Sequence, residues 1–184
     1  MFIEQYYIKK KVCDDLVKFY EKSPDKKPGV TYNNNKASVD EKEKKSLEVY
    51  FSPYSTTPEF ITYQHEFKKC LDKYKKTYKF SNKVNRFAIT KNTQIQHYVP
   101  GGGYYGWHME RTGAKLTIDR HLVFMTYLND IKEGGETEWY YQKLQVKPKK
   151  GLTVIWPADW TFTHRGITAK KEHKYIITGW INFI

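Results

Sequence analysis

From about Arg86 the periodicity of this chain switches from helical to strand-like, and that switch constrains the fold more than any other feature. Residues 87–89, 93–98, 104–109, 122–128, 138–141, 152–156 and 175–183 are short runs rich in β-branched or aromatic residues, bounded by Gly, Pro, Asn or Asp. Upstream, residues 10–22 carry Val12, Leu16, Val17, Phe19 and Tyr20 near helical spacing and stop before Ser23-Pro24, where proline discourages a further turn. A second helix is expected over 59–78, with Phe60, Tyr63, Phe67, Cys70, Leu71, Tyr74 and Tyr78 on its inner stripe. Between the two helices, residues 25–45 are polar and punctuated by Pro28-Gly29 and Asn33-Asn34-Asn35, which predicts a mobile loop able to cover a substrate.

Two helices followed by seven or more short strands predict a mainly β protein with flanking helices. Its expected core is a double-sheet jelly roll (a double-stranded β-helix) with the N-terminal helices packed on one sheet. The chain of 184 residues shows no internal repeat and no linker, so one domain is expected, with 1–84 as helical support and mobile loop and 85–184 as the jelly-roll core.

Charge says less. The net charge of +12 attracts phosphates, anionic surfaces or acidic proteins, but lysines of the N-terminal half are accounted for as a solvated surface. No basic stretch is interleaved with a nucleic-acid motif, so nucleic acid is not the expected partner. The two cysteines, Cys13 and Cys70, lack a CxxC partner and are expected to be reduced and buried. The N-terminus lacks a basic segment followed by an apolar one, and no apolar stretch approaches the ~18 residues that span a bilayer. The expectation is a soluble protein of the cytoplasm, without a membrane partner.

Chemistry enters with His108 and Glu110. Residues two apart on a strand point the same way, so both can reach one ion while Met109 faces the core. His164, in Thr163-His164-Arg165-Gly166, must come from another strand or loop. Two histidines and one carboxylate can occupy one face of an octahedral ferrous ion and leave three positions open. A lone H-x-E is weak evidence, since a surface histidine is commoner than a ligand. His65, His97, His121 and His173 show no comparable arrangement and read as structural or solvated.

The wider order of motifs strengthens the signal. Tyr98-Val99-Pro100-Gly101-Gly102-Gly103-Tyr104-Tyr105-Gly106-Trp107-His108-Met109-Glu110 precedes the run from Arg120 to Asp130, then Gly134-Gly135-Glu136-Thr137, Trp156-Pro157, His164-Arg165-Gly166, Lys174-Tyr175 and Trp180. Over roughly 85–184 this resembles the Fe(II)/2-oxoglutarate-dependent dioxygenases, specifically their prolyl 4-hydroxylase-like branch. The resemblance implies His108, Glu110 and His164 as iron ligands and Lys174 as the partner of the distal carboxylate of 2-oxoglutarate. It implies Tyr98, Tyr127 and Thr137 beside that cosubstrate, Trp180 on the substrate side, and Arg120 near the mouth, holding a substrate carbonyl. Among apolar neighbours an unpaired Lys174 ammonium is costly, which a bound carboxylate explains. Trp107, Phe124, Trp156 and Phe162 are suitable walls. The family pattern has Asp where this chain has Glu110, so the extra methylene must be absorbed by a shifted backbone or a turned carboxylate. Chlorinating relatives lose this carboxylate, and Glu110 argues against that chemistry.

The implied cosubstrates are Fe(II), 2-oxoglutarate and O2, with ascorbate as reductant. The leading expectation is hydroxylation of a proline in an exposed segment of a peptide or protein, with release of succinate and CO2. The alternatives are a hydroxylase of a free amino acid or small metabolite, and a basic nucleic-acid demethylase or binding module. The demethylases carry a paired-arginine signature after the distal histidine that is missing here.

Overall fold

Strand pairing around one long C-terminal strand organises the chain, and the helices pack against the result. The computed structural model describes residues 1–33 and 36–184; Asn34 and Asn35, from the triple-asparagine turn signal, lie outside the described residues. In chain order the elements are β1 (Glu4–Tyr7), α1 (Lys10–Lys22), β2 (Lys27–Pro28), β3 (Thr31–Asn33), β4 (Lys36–Ser38), β5 (Leu47–Phe51) and α2 (Pro58–Thr77). There follow β6 (Phe87–Ala88), β7 (Thr93–Tyr98), β8 (Arg120–Tyr127), β9 (Thr137–Trp139), β10 (Leu144–Val146), β11 (Leu152–Pro157), β12 (His164–Gly166) and β13 (Lys174–Phe183).

The large sheet runs β1-β11-β8-β13-β7-β5-β2, with β6 also pairing with β13, and a smaller sheet runs β10-β9-β12. All of these pairs are antiparallel. Two antiparallel sheets with two helices on the outer face of the larger one give the expected jelly roll.

Alternation along the strands sorts side chains into two cores. On β13, Ile177 and Ile181 face the helices, while Lys174, Ile176, Thr178 and Trp180 face the space between the sheets. On β8, Leu122 and Phe124 face the helices, and Val123, Met125 and Tyr127 face inward. Phe124 lies 4.2 Å from the Phe67 ring of α2, centroid to centroid. It also lies under Gly179, where a Cβ would come within 2.7 Å of its ring, so only glycine admits that packing. α1 buries Val12, Cys13, Leu16 and Tyr20, and α2 buries Phe60, Tyr63, Phe67, Cys70 and Tyr74, one stripe each. The Ser23 N–H donates to the carbonyls of Phe19 and Tyr20 and closes α1 before Pro24.

Several expectations need correction. Residues 104–109 form no regular strand: Tyr104 bridges Lys44, His108 bridges His164, and the chain between is irregular. Met109 is half-buried and lines the cavity rather than the core. Phe124 belongs to the helix-facing core, Phe162 is packed in the inner core behind the cavity, and Trp107 is 39% exposed, so of the four proposed walls only Trp156 lines the cavity. The described part of 25–45 holds the short strands β2, β3 and β4, and it includes Lys44, which is buried. β1 and β5 come from the segment expected to be helix and loop, and both join the large sheet.

Candidate active site

His108 and His164 are brought together by a two-way backbone bridge, in which each N–H donates to the other's carbonyl at 2.9 Å. Their rings lie 4.3 Å apart. Each ring is oriented from behind. Nδ1 of His108 sits 3.0 Å from the Gly106 carbonyl, and Nδ1 of His164 sits 3.0 Å from the Phe162 carbonyl. A carbonyl only accepts, so each Nδ1 carries a proton, and Nε2 is the ring nitrogen left to face the cavity. Tyr104 stacks on His108 at 3.7 Å and 7°, which fixes its ring plane.

Glu110 completes the group. Its Oε1 lies 3.8 Å from His108 Nε2 and 3.5 Å from His164 Nε2, and the three side chains form a cluster that could hold one metal ion. Its Oε2 is held elsewhere, accepting from Arg120 Nη1 at 2.9 Å and from the Trp180 indole N–H at 2.8 Å. Arg120 Nη1 also donates to the Glu110 carbonyl at 2.7 Å, and its guanidinium lies 3.7 Å over the Trp180 ring. The extra methylene of glutamate is thus accommodated by turning the carboxylate: one oxygen is clamped by β8 and β13, and the other faces the histidines.

The electrostatics agree with that division. Burial pushes the Glu110 carboxyl up, but the neighbouring His164 and the charge of Arg120 outweigh it and hold the group well below the usual carboxylate range. Burial, then the neighbouring His164, pushes His108 down to about 3, so the imidazole is neutral at ordinary pH. Two imidazoles and one ionised carboxylate make a donor set suited to a divalent first-row metal.

Lys174 lies at the inner end of the same cavity. It is 7% exposed, and among the described residues no carboxylate or carbonyl is within hydrogen-bonding distance of its Nζ. Its Nζ lies over the rings of Tyr98 and Tyr127, 5.5 and 5.6 Å from their centroids. Burial pushes its pKa down to about 8, against a small opposing pull from Glu136. A buried ammonium without a counter-ion is the feature a carboxylate-bearing ligand would satisfy.

The other expected residues surround this point. Tyr98 donates to Gln96 Oε1 at 2.6 Å, and Tyr127 is hydrogen-bonded to Thr137 Oγ1 at 2.7 Å and to the Val146 carbonyl at 3.1 Å. Tyr98, Thr137, Arg120, Lys174 and Trp180 all line the cavity, whose volume is about 480 Å³; Tyr127 stands behind Thr137. Arg120 and Trp180, expected to meet the substrate, both donate to Glu110 Oε2. Of the other histidines, His97 pairs with His173 and His121 with the Ser81 carbonyl, away from the cluster.

Sequence reasoning missed one wall of the cavity. Lys44 and Glu48 form a buried ion pair at 2.5 Å, and Glu48 also accepts from Ser46 and Tyr50. The signal was there in Glu48, a charge at an inward position of the apolar run Leu47-Glu48-Val49-Tyr50-Phe51, with Lys44 four residues earlier. Tyr104, which orients His108, was readable only as part of a presumed strand.

A jelly roll with two imidazoles, one carboxylate and a buried lysine converging on one cavity defines a mononuclear non-haem metal oxygenase. Residues 93–182 match the family model described as the 2OG-Fe(II) oxygenase superfamily, and this part of the chain is a 2OG-Fe(II) oxygenase domain. As such it is a 2-oxoglutarate-dependent dioxygenase that uses Fe(II), 2-oxoglutarate and O2. No curated protein sequence matches it.

Solved structures share its fold. The viral collagen prolyl hydroxylase of Paramecium Bursaria Chlorella virus-1, in complex with 2OG, is 19% identical with a TM-score of 0.72, over 100% of this chain and 97% of that one. A Pseudomonas putida prolyl-4-hydroxylase is 15% identical with a TM-score of 0.72, over 99% and 92%. A Trichoplax adhaerens prolyl hydroxylase, in complex with a hypoxia inducible factor oxygen degradation domain peptide fragment, is 16% identical with a TM-score of 0.74, over 98% and 83%. Among the described residues no helix is long and apolar enough to cross a membrane.

Proposed function

We propose that this protein hydroxylates a prolyl residue in a peptide or protein, with His108, Glu110 and His164 holding Fe(II) and Lys174 binding the distal carboxylate of 2-oxoglutarate. One observation carries the site assignment: Lys174, buried and without a counter-ion among the described residues, shares a cavity with two imidazoles and a carboxylate. When bound, Fe(II) and 2-oxoglutarate supply an oxidation in which O2 places one oxygen in a C–H bond of the substrate and the other in succinate, with loss of CO2.

The chain's own residues do the rest. The Gly106 and Phe162 carbonyls keep both Nδ1 atoms protonated, so that Nε2 is the ligating atom of each histidine. Arg120 and Trp180 position Glu110 so that one oxygen is offered inward. Tyr98, Tyr127 and Thr137 shape the pocket around the Lys174 ammonium and raise the strength of its pairing by excluding water. The prolyl reading is supported by the shared fold with prolyl hydroxylases and by a cavity wider than Lys174 and the metal group alone require. Its volume of about 480 Å³ falls in the ~300–1,000 Å³ range of ligand sites. Its outer lining includes the exposed Leu116, so the cavity reaches the surface, as an extended chain requires.

Ascorbate is assigned as reductant for the metal. Two buried free thiols, Cys13 and Cys70, suit a reducing compartment such as the cytoplasm. The test is succinate release with Fe(II), ascorbate and 2-oxoglutarate over a panel of proline-containing peptides, free proline and small metabolites. Mass spectrometry for one added oxygen identifies the product. Oxygen on a peptidyl proline supports the reading; oxygen on free proline alone assigns the small-metabolite alternative.

A further inference from the structure

Beside the cavity, four aromatic rings form an exposed surface strip that the chemistry above leaves unused. Trp107, Tyr140, Tyr141 and Trp160 are 39%, 57%, 56% and 59% exposed. Each meets the next edge to face, with centroid steps of 5.1, 5.2 and 5.7 Å. The local fold explains their direction. Trp139 at the end of β9 points inward and is fully buried, so the turn that follows presents Tyr140 and Tyr141 outward. Trp160 opens the short turn that leads to His164, and Trp107 immediately precedes His108.

The strip is continuous with the site. Arg165, next to His164, lines the cavity and places its guanidinium 4.3 Å over the Trp107 ring. The cations at both ends are already engaged: Arg165 donates to Glu138 at 2.9 Å, and Arg111 pairs at 2.5 Å with Asp159, the neighbour of Trp160. A chain of net charge +12 therefore offers, at this place, a strip of rings bordered by neutralised pairs. A polyanion such as RNA would need free cations beside stacking rings. A proline-rich chain needs the rings alone. In polyproline II it winds three residues per turn at ~3.1 Å per residue, so one face repeats every ~9 Å and its carbonyls stay unpaired. Aromatic surfaces bind such a helix without charge, and the exposed tyrosine hydroxyls can donate to its carbonyls.

We propose that Trp107, Tyr140, Tyr141 and Trp160 form a docking track for a proline-rich, polyproline II flank of the substrate chain and lead the target residue into the cavity. The substrate half of this inference rests on the peptidyl-proline reading above; the binding half does not. Two measurements separate them.

The first is binding of an oligoproline of roughly ten residues, ~30 Å long, followed by titration calorimetry in the metal-free protein. Saturable binding that is lost in the Tyr141→Ala/Trp160→Ala double variant supports the track, even if no peptide is hydroxylated. The absence of saturable binding overturns it. So does an oligouridylate that competes at the same residues, or self-association of the chain that the double variant abolishes. The second is steady-state kinetics on a long proline-rich peptide and on a tripeptide. The double variant is expected to raise KM for the long peptide roughly tenfold with kcat unchanged, and to treat the tripeptide as the parent does. Equal KM values for parent and variant on the long peptide would overturn the track while leaving prolyl hydroxylation standing.

Discussion

Replacing Lys174 by methionine should move two properties in opposite directions. Methionine keeps most of the apolar stem and removes the ammonium. In the ligand-free protein that ammonium is a liability, since burial lowers its pKa from 10.5 to about 8. A shift of that size corresponds to ~3 kcal/mol of folding free energy carried as a penalty wherever the group is charged in both states. Lys174→Met should therefore leave the apo protein as stable as the parent or more so, by up to ~3 kcal/mol at pH 7. The same change should cripple cosubstrate binding, because the distal carboxylate of 2-oxoglutarate would be buried without a partner. The cost is about 3 kcal/mol or more, roughly 150-fold in Kd. Urea denaturation of the apo protein and anaerobic calorimetric titration with 2-oxoglutarate in the presence of Fe(II) read the two effects. A variant that loses stability by several kcal/mol while keeping its Kd would show Lys174 to be a structural residue and refute the reasoning.

Four further outcomes are expected. With Lys174 depressed to about 8, 2-oxoglutarate affinity should fall as pH rises through that value, approaching tenfold per unit, and the fall should vanish in Lys174→Met. The same group has its folded pKa below its unfolded one, so its penalty is present below about 8 and relieved between about 8 and 10.5. The apo parent should accordingly gain stability over that window relative to Lys174→Met, as denaturation at stepped pH will show. Arg120→Gln with Trp180→Phe frees Oε2 of Glu110 and should weaken metal binding ~10- to 100-fold, measured by competition with a chromogenic chelator; unchanged affinity would reject the clamp. Phe67→Ala removes the ring against Phe124 and should cost ~3–5 kcal/mol in urea unfolding with little change in metal affinity.

What was legible from the residues was what depends on local period. β13 and β8 are strand-like apolar runs buried on both faces, and the even separation of Lys174 and Trp180 places both on one side of β13. The convergence of His108, Glu110 and His164 was legible from the motifs, although the reasoning that put His108 and Glu110 on one strand was not the mechanism the molecule uses. The backbone bridge from His108 to His164 does that work in an irregular stretch. What stayed hidden depends on long-range partners. β1 and β5 are short and are stabilised by pairing with β11 and β7, so propensity alone did not reveal them. Glu48 looks like a misplaced charge until Lys44, Ser46 and Tyr50 close around it. Arg120 and Trp180 belong to different strands, and no spacing rule shows that both end on one oxygen of Glu110.

Equilibrium dialysis of the apo protein against Fe(II) under anaerobic conditions, with metal counted per chain, tests the central claim most directly. One tightly held ion in the parent, lost in both His108→Ala and His164→Ala with the fold retained by circular dichroism, is the predicted result. Full retention of the ion in those variants, or none bound by the parent, would contradict the account.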